Sequence, residues 1–170
     1  MMTRHLEKIA AVLTAINAAI GHVAQWLTLI MVLVQFLVVI LRYVFGIGSL
    51  QLQESIIYMH GILFLSAAAS TWQDDSHVRV DIFYATAKQA LKDRINFWGT
   101  ALFVIPFCIL ILYVSYGYVS ISWAVREGSR ETSGIHGIFI LKTFILIFAA
   151  QLLAQAIALL CRGGRMKAEA

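Results

Sequence analysis

An all-α membrane protein with four transmembrane helices is what this sequence predicts, and three observations predict it. The chain is 61% hydrophobic and only 13% charged, whereas soluble domains carry about 25% charged residues. Its mean hydropathy is +0.82. The few charges are bunched: residues 9–41, 55–73, 95–125 and 143–161 contain no Asp, Glu, Lys or Arg. A helix crosses a bilayer in about 20 mainly apolar residues, so each of these stretches accommodates one span. So little polar surface cannot cover the chain in water, but lipid accepts outward-facing apolar side chains. Four spans and their connections use nearly all of the 170 residues, which leaves a single membrane domain.

The net charge of +4 is better explained by basic cytoplasmic loops than by nucleic acid, since Lys and Arg gather on that side of a membrane protein. Cys108 and Cys161 both sit in apolar stretches and read as reduced, small hydrophobes. Arg4 and Lys8 ahead of an apolar run fit the opening of a secretion signal. No small-x-small site with a polar start follows them, so the start reads as uncleaved.

Taken in order, Ile9, Val12, Leu13, Ile16 and Ile20 recur at three and four residues, with Glu7, Thr14 and Asn17 on other faces. The pattern predicts an amphipathic N-terminal helix over 1–20 at the cytoplasmic interface. One helix from 9 to 41 would run about 50 Å against a hydrocarbon core of about 30 Å. Gly21 is therefore expected to bend the chain, with the first span at 23–45; a single steeply tilted helix is the alternative. Arg42 and Tyr43 anchor the far end, and Gly46, Gly48 and Ser49 turn the chain into an antiparallel second span at 50–72. Gln53 and Glu54 are placed in the first turn of that helix, where a carboxylate meets the positive end of the dipole. Tyr58 and Gly61 share a strip with Glu54, and His60 lies on another face. The small residues 66–70 read as a helix-packing face.

Next comes the densest polar run, Asp74-Asp75-Ser76-His77-Val78-Arg79-Val80-Asp81. Over 82–94, Phe83, Ala87, Ala90 and Leu91 share a face opposite Lys88, Lys92 and Asp93, which predicts an amphipathic helix in the membrane plane between spans 2 and 3. The third span is expected at 96–123 and is bent by Pro106; Tyr113, Tyr116, Tyr118 and Trp123 form an aromatic belt at its far end. A second polar loop, 126–134, alternates Arg126, Glu127, Arg130 and Glu131. The fourth span runs over 139–160, with Lys142 able to snorkel, and 162–170 is a basic tail. Arg4, Lys8, Arg79, Lys88, Lys92, Arg94, Arg162, Arg165 and Lys167 fall on one side; Arg42, Arg126, Arg130 and Lys142 fall on the other. That excess puts both termini in the cytoplasm and 126–134 outside.

Ionisable groups inside a membrane are candidates for function, and few are found here: His60, with Glu54 and His22 nearer the surfaces. No Asp or Glu lies mid-span and no span is broken, which argues against a chain that carries a solute unaided. Haem between two histidines needs a pair at one depth; His22, His60 and His136 do not supply one. Asp74, Asp75, His77 and Asp81 would form a metal or catalytic site only in a special fold. They read better as a salt-bridged corner that stops the second helix. No catalytic residue, metal ligand or cofactor is expected.

The order and spacing of several short motifs resemble a known family. His77-x-Arg79-x-Asp81 follows the second span, Gln53-Glu54 opens that span, and Tyr58 with His60-Gly61 lies inside it. Ser122-Trp123 precedes 126–134, and Lys142 comes a few residues into the last span. From about residue 35 to 157 the chain is similar to the small membrane subunit (Q subunit) of tripartite ATP-independent periplasmic (TRAP) transporters. One departure is His136 after Gly134-Ile135, where proline would be expected. The resemblance implies a scaffold subunit beside a large membrane subunit that moves the solute. A periplasmic solute-binding protein would deliver an organic acid, and a sodium gradient would drive uptake across the bacterial inner membrane. It also implies structural or interface roles for Glu54, Tyr58, His60, Asp75, His77, Arg79, Asp81, Arg126, Glu127, Arg130, Glu131 and Lys142. A membrane anchor of a respiratory enzyme, with or without haem, is the alternative reading.

Overall fold

The computed structural model describes residues 2–76, 84 and 86–165, with side chains from His5 onward. The helices are α1 (Met2–Tyr43), α2 (Leu50–Gln73), α3 (Gln89–Gly99), a π-helical turn (Thr100–Val104), α4 (Ile105–Ala124) and α5 (Ile138–Cys161). No strand occurs among the described residues. Four of these stretches are long and apolar enough to cross a membrane, with α3, the π turn and α4 counting as one continuous span.

α5 is the hub. It packs against α1, α2 and α4, and α1 and α2 form an antiparallel hairpin beside it, while α4 has its main neighbour in α5. The interior is built from small side chains: Ala10, Ala24, Ala69, Ala149, Ala156 and Ala158 are buried. The bulky ones face outward, as with Trp26, Phe36, Phe64, Phe103 and Tyr113. In lipid no hydrophobic force drives large side chains inward, so close backbone approach decides what lies between helices.

α1 runs without a break from the stretch expected at the interface into the first span. It is one unbroken helix of 42 residues, about 63 Å long, so the continuous alternative is the one adopted. Gly21 lies inside this helix, packed against α2. A Cβ there would collide with Ser70 Oγ on α2, so this glycine is needed for close approach. Ser66 and Ala69 are buried, and the small block 66–70 is therefore spent within the bundle.

The corner after α2 is described only to Ser76; His77, Arg79 and Asp81 lie outside the described residues. The helix is closed by backbone bonds, Asp75 N–H to Trp72 O at 3.1 Å and Ser76 N–H to Thr71 O at 3.0 Å. Asp75 takes the left-handed conformation this requires, with φ 54°. Of the stretch 82–94, residues 82, 83 and 85 lie outside the description. From Gln89 onward the chain is helical without a break into the third span. The amphipathic turns thus lead into that span instead of standing apart from it. Asn96 ties this region to the tail, donating to Gly164 O at 3.4 Å and to Tyr84 Oη at 3.0 Å.

Pro106 does interrupt the third span, through a π turn. Proline has no N–H and its ring crowds the carbonyl four residues back. The turn just before it widens, and Ile105 N–H reaches Thr100 O five residues earlier. Beside that turn lies a mainly apolar cavity of about 530 Å³, lined by Trp72, Thr100, Phe103, Phe107 and Leu152 among others.

Candidate functional site: a tied loop at one end of the bundle

The loop between α4 and α5 is held down by four side chains that reach it from the helices, Glu54, Tyr58, Ser122 and Lys142. α2 starts under a Ser49 cap, with Leu52 N–H donating to Ser49 Oγ at 3.4 Å. That start puts Glu54 just past the first turn, so its carboxylate is not used on the helix dipole as expected. It crosses to the loop, where it accepts from Ile135 N–H at 2.5 Å and from the Ser129 hydroxyl. One turn further on, Tyr58 Oη donates to Ile135 O at 3.3 Å. Gly137 lies against the Tyr58 ring, so close that a Cβ would come within 3.3 Å of it.

The second tie starts from the loop. α4 ends with Glu127 N–H bonded back to Ser122 O at 3.0 Å. Arg126 adopts φ 47°, a left-handed conformation more usual for glycine. This turn aims the Glu127 carboxylate inward. Ser122 Oγ donates to it at 2.7 Å and Lys142 Nζ at 2.5 Å. Lys142 belongs to α5; its ammonium also stands 3.9 Å from the centroid of the Tyr118 ring. The hydrogen bond from Lys142, then that from Ser122, holds the Glu127 carboxyl below its ordinary value of 4.5. Nearby, Trp123 Nε1 donates to Thr143 Oγ1 at 2.9 Å, and its ring meets Phe139 edge-on at 4.7 Å. Inside the loop, the His136 ring occupies the space a Cβ of Gly128 would need. The residue at which the chain departs from the expected proline therefore packs the loop on itself.

The candidates thus sort into two groups. Glu54, Tyr58, Glu127 and Lys142 meet at the loop and serve it internally. Arg126, Arg130 and Glu131 are exposed and make no side-chain hydrogen bond or ion pair among the described residues. His60 is also exposed, but on the side of α2, where it stacks on Phe64 at 6.4 Å. Asp75 sits at the other end of the bundle, and His77, Arg79 and Asp81 are outside the described residues.

A second polar cluster was missed by the sequence reading. Between α1 and α5, Asn17 Nδ2 donates to Gln151 O and to Gln155 Oε1, each at 3.2 Å. Arg162 donates to Thr14 Oγ1 at 3.1 Å. Asn17 is 1% exposed and Gln151 6%. Both amide atoms of Gln151 are buried without a partner among the described residues. The signal was present as two glutamines four apart in an otherwise apolar span, with Asn17 in another. Attention to charged groups alone passed over these neutral amides.

The four helices long and apolar enough to cross a membrane, with the tied loop at one end, describe a membrane component. The family model described as "Tripartite ATP-independent periplasmic transporters, DctQ component" matches residues 31–165. The chain belongs to this family. It is a TRAP small subunit, hence a transporter component and not an enzyme, and a multi-pass membrane protein. No curated protein and no solved structure matches it. The family match takes in the Glu54 and Glu127 ties and the α5 half of the amide cluster. Asn17 lies in the part of α1 that precedes it.

Proposed function

We propose that this TRAP small subunit is a static scaffold in the bacterial inner membrane. It holds a large membrane subunit that carries the solute, while a periplasmic solute-binding protein delivers an organic acid and a sodium gradient drives uptake. Both termini face the cytoplasm, in keeping with the Lys and Arg count, and the tied loop faces the periplasm. The observation that carries this reading is the family membership, combined with spans whose centres hold no Asp or Glu. A chain that moved an ion or acid alone would need charged groups or unwound helices at mid-depth, whereas the polar groups inside these spans are chiefly the amides of the α1–α5 seam and His60. The loop's rigid ties support a docking platform, because they leave Arg126, Arg130 and Glu131 free to face a partner.

The test is uptake into liposomes containing this chain and the large subunit, with binding protein and an organic acid outside. Uptake should need all three proteins and an inward sodium gradient. Undiminished uptake without this chain would sink the scaffold role. Arg126→Glu with Arg130→Glu should weaken binding-protein docking more at low salt than at high salt, because exposed charges are screened. A salt-independent response would remove the loop from that interface.

A further inference from the structure

The cavity beside the π turn is made by how the helices pack. α2 has its main neighbours in α1 and α5, and the third span has its own in α5. A gap therefore stays between α2 and the third span. Trp72 stands on one wall, Thr100 and Phe103 on the other, and Leu152 and Leu159 of α5 lie beneath. Gly99 helps to keep it open. Gly21 and Gly61 are crowded by Ser70 and Leu141, but a Cβ on Gly99 would meet nothing within 4 Å. A glycine inside a helix costs about 1 kcal/mol against alanine, and here no neighbouring helix needs the space. Gly117 is as free of neighbours, but it is exposed and does not line this cavity.

The wall formed by the third span changes polarity in order. Lys92, Asn96, Thr100, Phe103 and Phe107 follow one another at helical spacing, about 16 Å from Lys92 to Phe103. They run from an ammonium through an amide and a hydroxyl to two rings. The Lys92 ammonium stands 5.3 Å from the centroid of the Tyr84 ring, and Asn96 ties the same end to Tyr84 and Gly164. The acidic groups at this end lie to the sides: Asp93 accepts from Gln89, and Asp74 closes α2 beyond Trp72. Thr100 is 3% exposed, yet its hydroxyl makes no hydrogen bond among the described residues. Thr14, Thr71 and Thr143, the other threonines inside the bundle, each turn the hydroxyl back onto the carbonyl four residues earlier. A neighbouring cavity at Leu102, Pro106 and Leu110 is lined by apolar side chains alone and has no such order.

We infer that the groove at Gly99 and Thr100 holds one phospholipid of the surrounding bilayer. Its phosphate sits at Lys92, Thr100 donates to an ester carbonyl, and an acyl chain lies along Phe103, Phe107 and Leu152. Cationic side chains at the membrane surface attract lipid phosphate, and a buried hydroxyl without an acceptor is costly. Water does not fill such a groove, because walls this apolar offer it too few partners. Nothing in this assignment depends on the scaffold role; it needs only a chain set in a membrane.

The test is native mass spectrometry of the full-length chain in detergent, with phosphatidylglycerol added and, as the phosphate-free probe, diacylglycerol of the same acyl chains. One phosphatidylglycerol should stay bound above the nonspecific series, and diacylglycerol severalfold less. Gly99→Trp fills the groove without displacing a neighbour and should abolish the bound lipid. Thr100→Val, of the same shape, should reduce it severalfold at an unchanged melting temperature. Lys92→Met should also reduce it, and Lys92→Arg should keep it. Leu110→Trp, at the apolar cavity, should bind as the wild type does. Equal retention by Gly99→Trp and the wild type would overturn the site, and equal binding of diacylglycerol would overturn the phosphate assignment. Loss of the lipid on adding the large membrane subunit would give the groove to a protein contact instead.

Discussion

The two ends of the bundle are held by opposite chemistry. At the loop end, ionised groups do the tying: Glu54 to Ser129 and Ile135, and Glu127 to Lys142 and Ser122. Toward the end holding the termini, the described residues add seams of neutral amides, Asn17 with Gln151 and Gln155 and Asn96 with Tyr84 and Gly164, beside the Arg162 bond to Thr14. The difference follows from solvent access. Glu127 is 38% exposed as a side chain, so water meets part of the cost of its charge. Asn17 and Gln151 are almost wholly buried, where an unpaired charge would be far more expensive than an amide. The loop ties therefore respond to pH and salt, and the amide seam to packing.

Variants can break this contrast, the strongest at Gly21. Gly21→Leu should drive Ser70 off and part α1 from α2, at about 1–3 kcal/mol. Thermal unfolding in detergent should show the loss, while protease protection of the loop at 126–137 persists. If that loop opens together with α1, the two ends are not independent. Next comes the amide seam. Asn17→Leu should cost about 1 kcal/mol, the scale of interhelical hydrogen bonds in membranes. Gln151→Leu should be neutral or stabilising, because its amide has no partner to lose; a melting temperature that falls as far as for Asn17→Leu would show that the amide is satisfied in solution.

A pH series separates the ends without mutation. The folded-state pKa of Glu127 is depressed, so its contribution is complete above the ordinary value of 4.5 and is lost as pH falls through the lower folded value. Proteolysis within 128–134 should stay flat from neutral pH down to the usual glutamate range and rise only below it. Lys142→Met should move that rise to higher pH; an unmoved profile would remove Lys142 as its cause. The effect at Arg126 is opposite in sign. Relief of left-handed backbone in Arg126→Gly would gain about 1–2 kcal/mol, and the looser unfolded chain takes back about 0.4–1 kcal/mol. A net gain of up to about 1.5 kcal/mol on thermal unfolding is expected, and a clear loss would show that the Arg126 side chain supports the turn.

The spans were legible because lipid imposes a one-dimensional rule: an uncharged apolar run of sufficient length must be a helix that closes its own hydrogen bonds. The observed α2 and α5 each contain one of the charge deserts, 55–73 and 143–161. The same rule is silent on the packing role of Gly21. Bending and close packing both favour glycine, and the sequence does not reveal that Ser70 stands opposite. Glu54 failed in a similar way. Helix-dipole stabilisation is local and can be read along the chain, whereas its bonds to Ser129 and Ile135 span 75 and 81 residues. The pairing of Glu127 with Lys142 and the meeting of Asn17 with Gln155 have the same character. Composition and periodicity govern what a segment does with its neighbours in sequence and with the solvent around it. Which side chains then meet depends on the register and rotation of packed helices, and those emerge when α5 is surrounded on three sides.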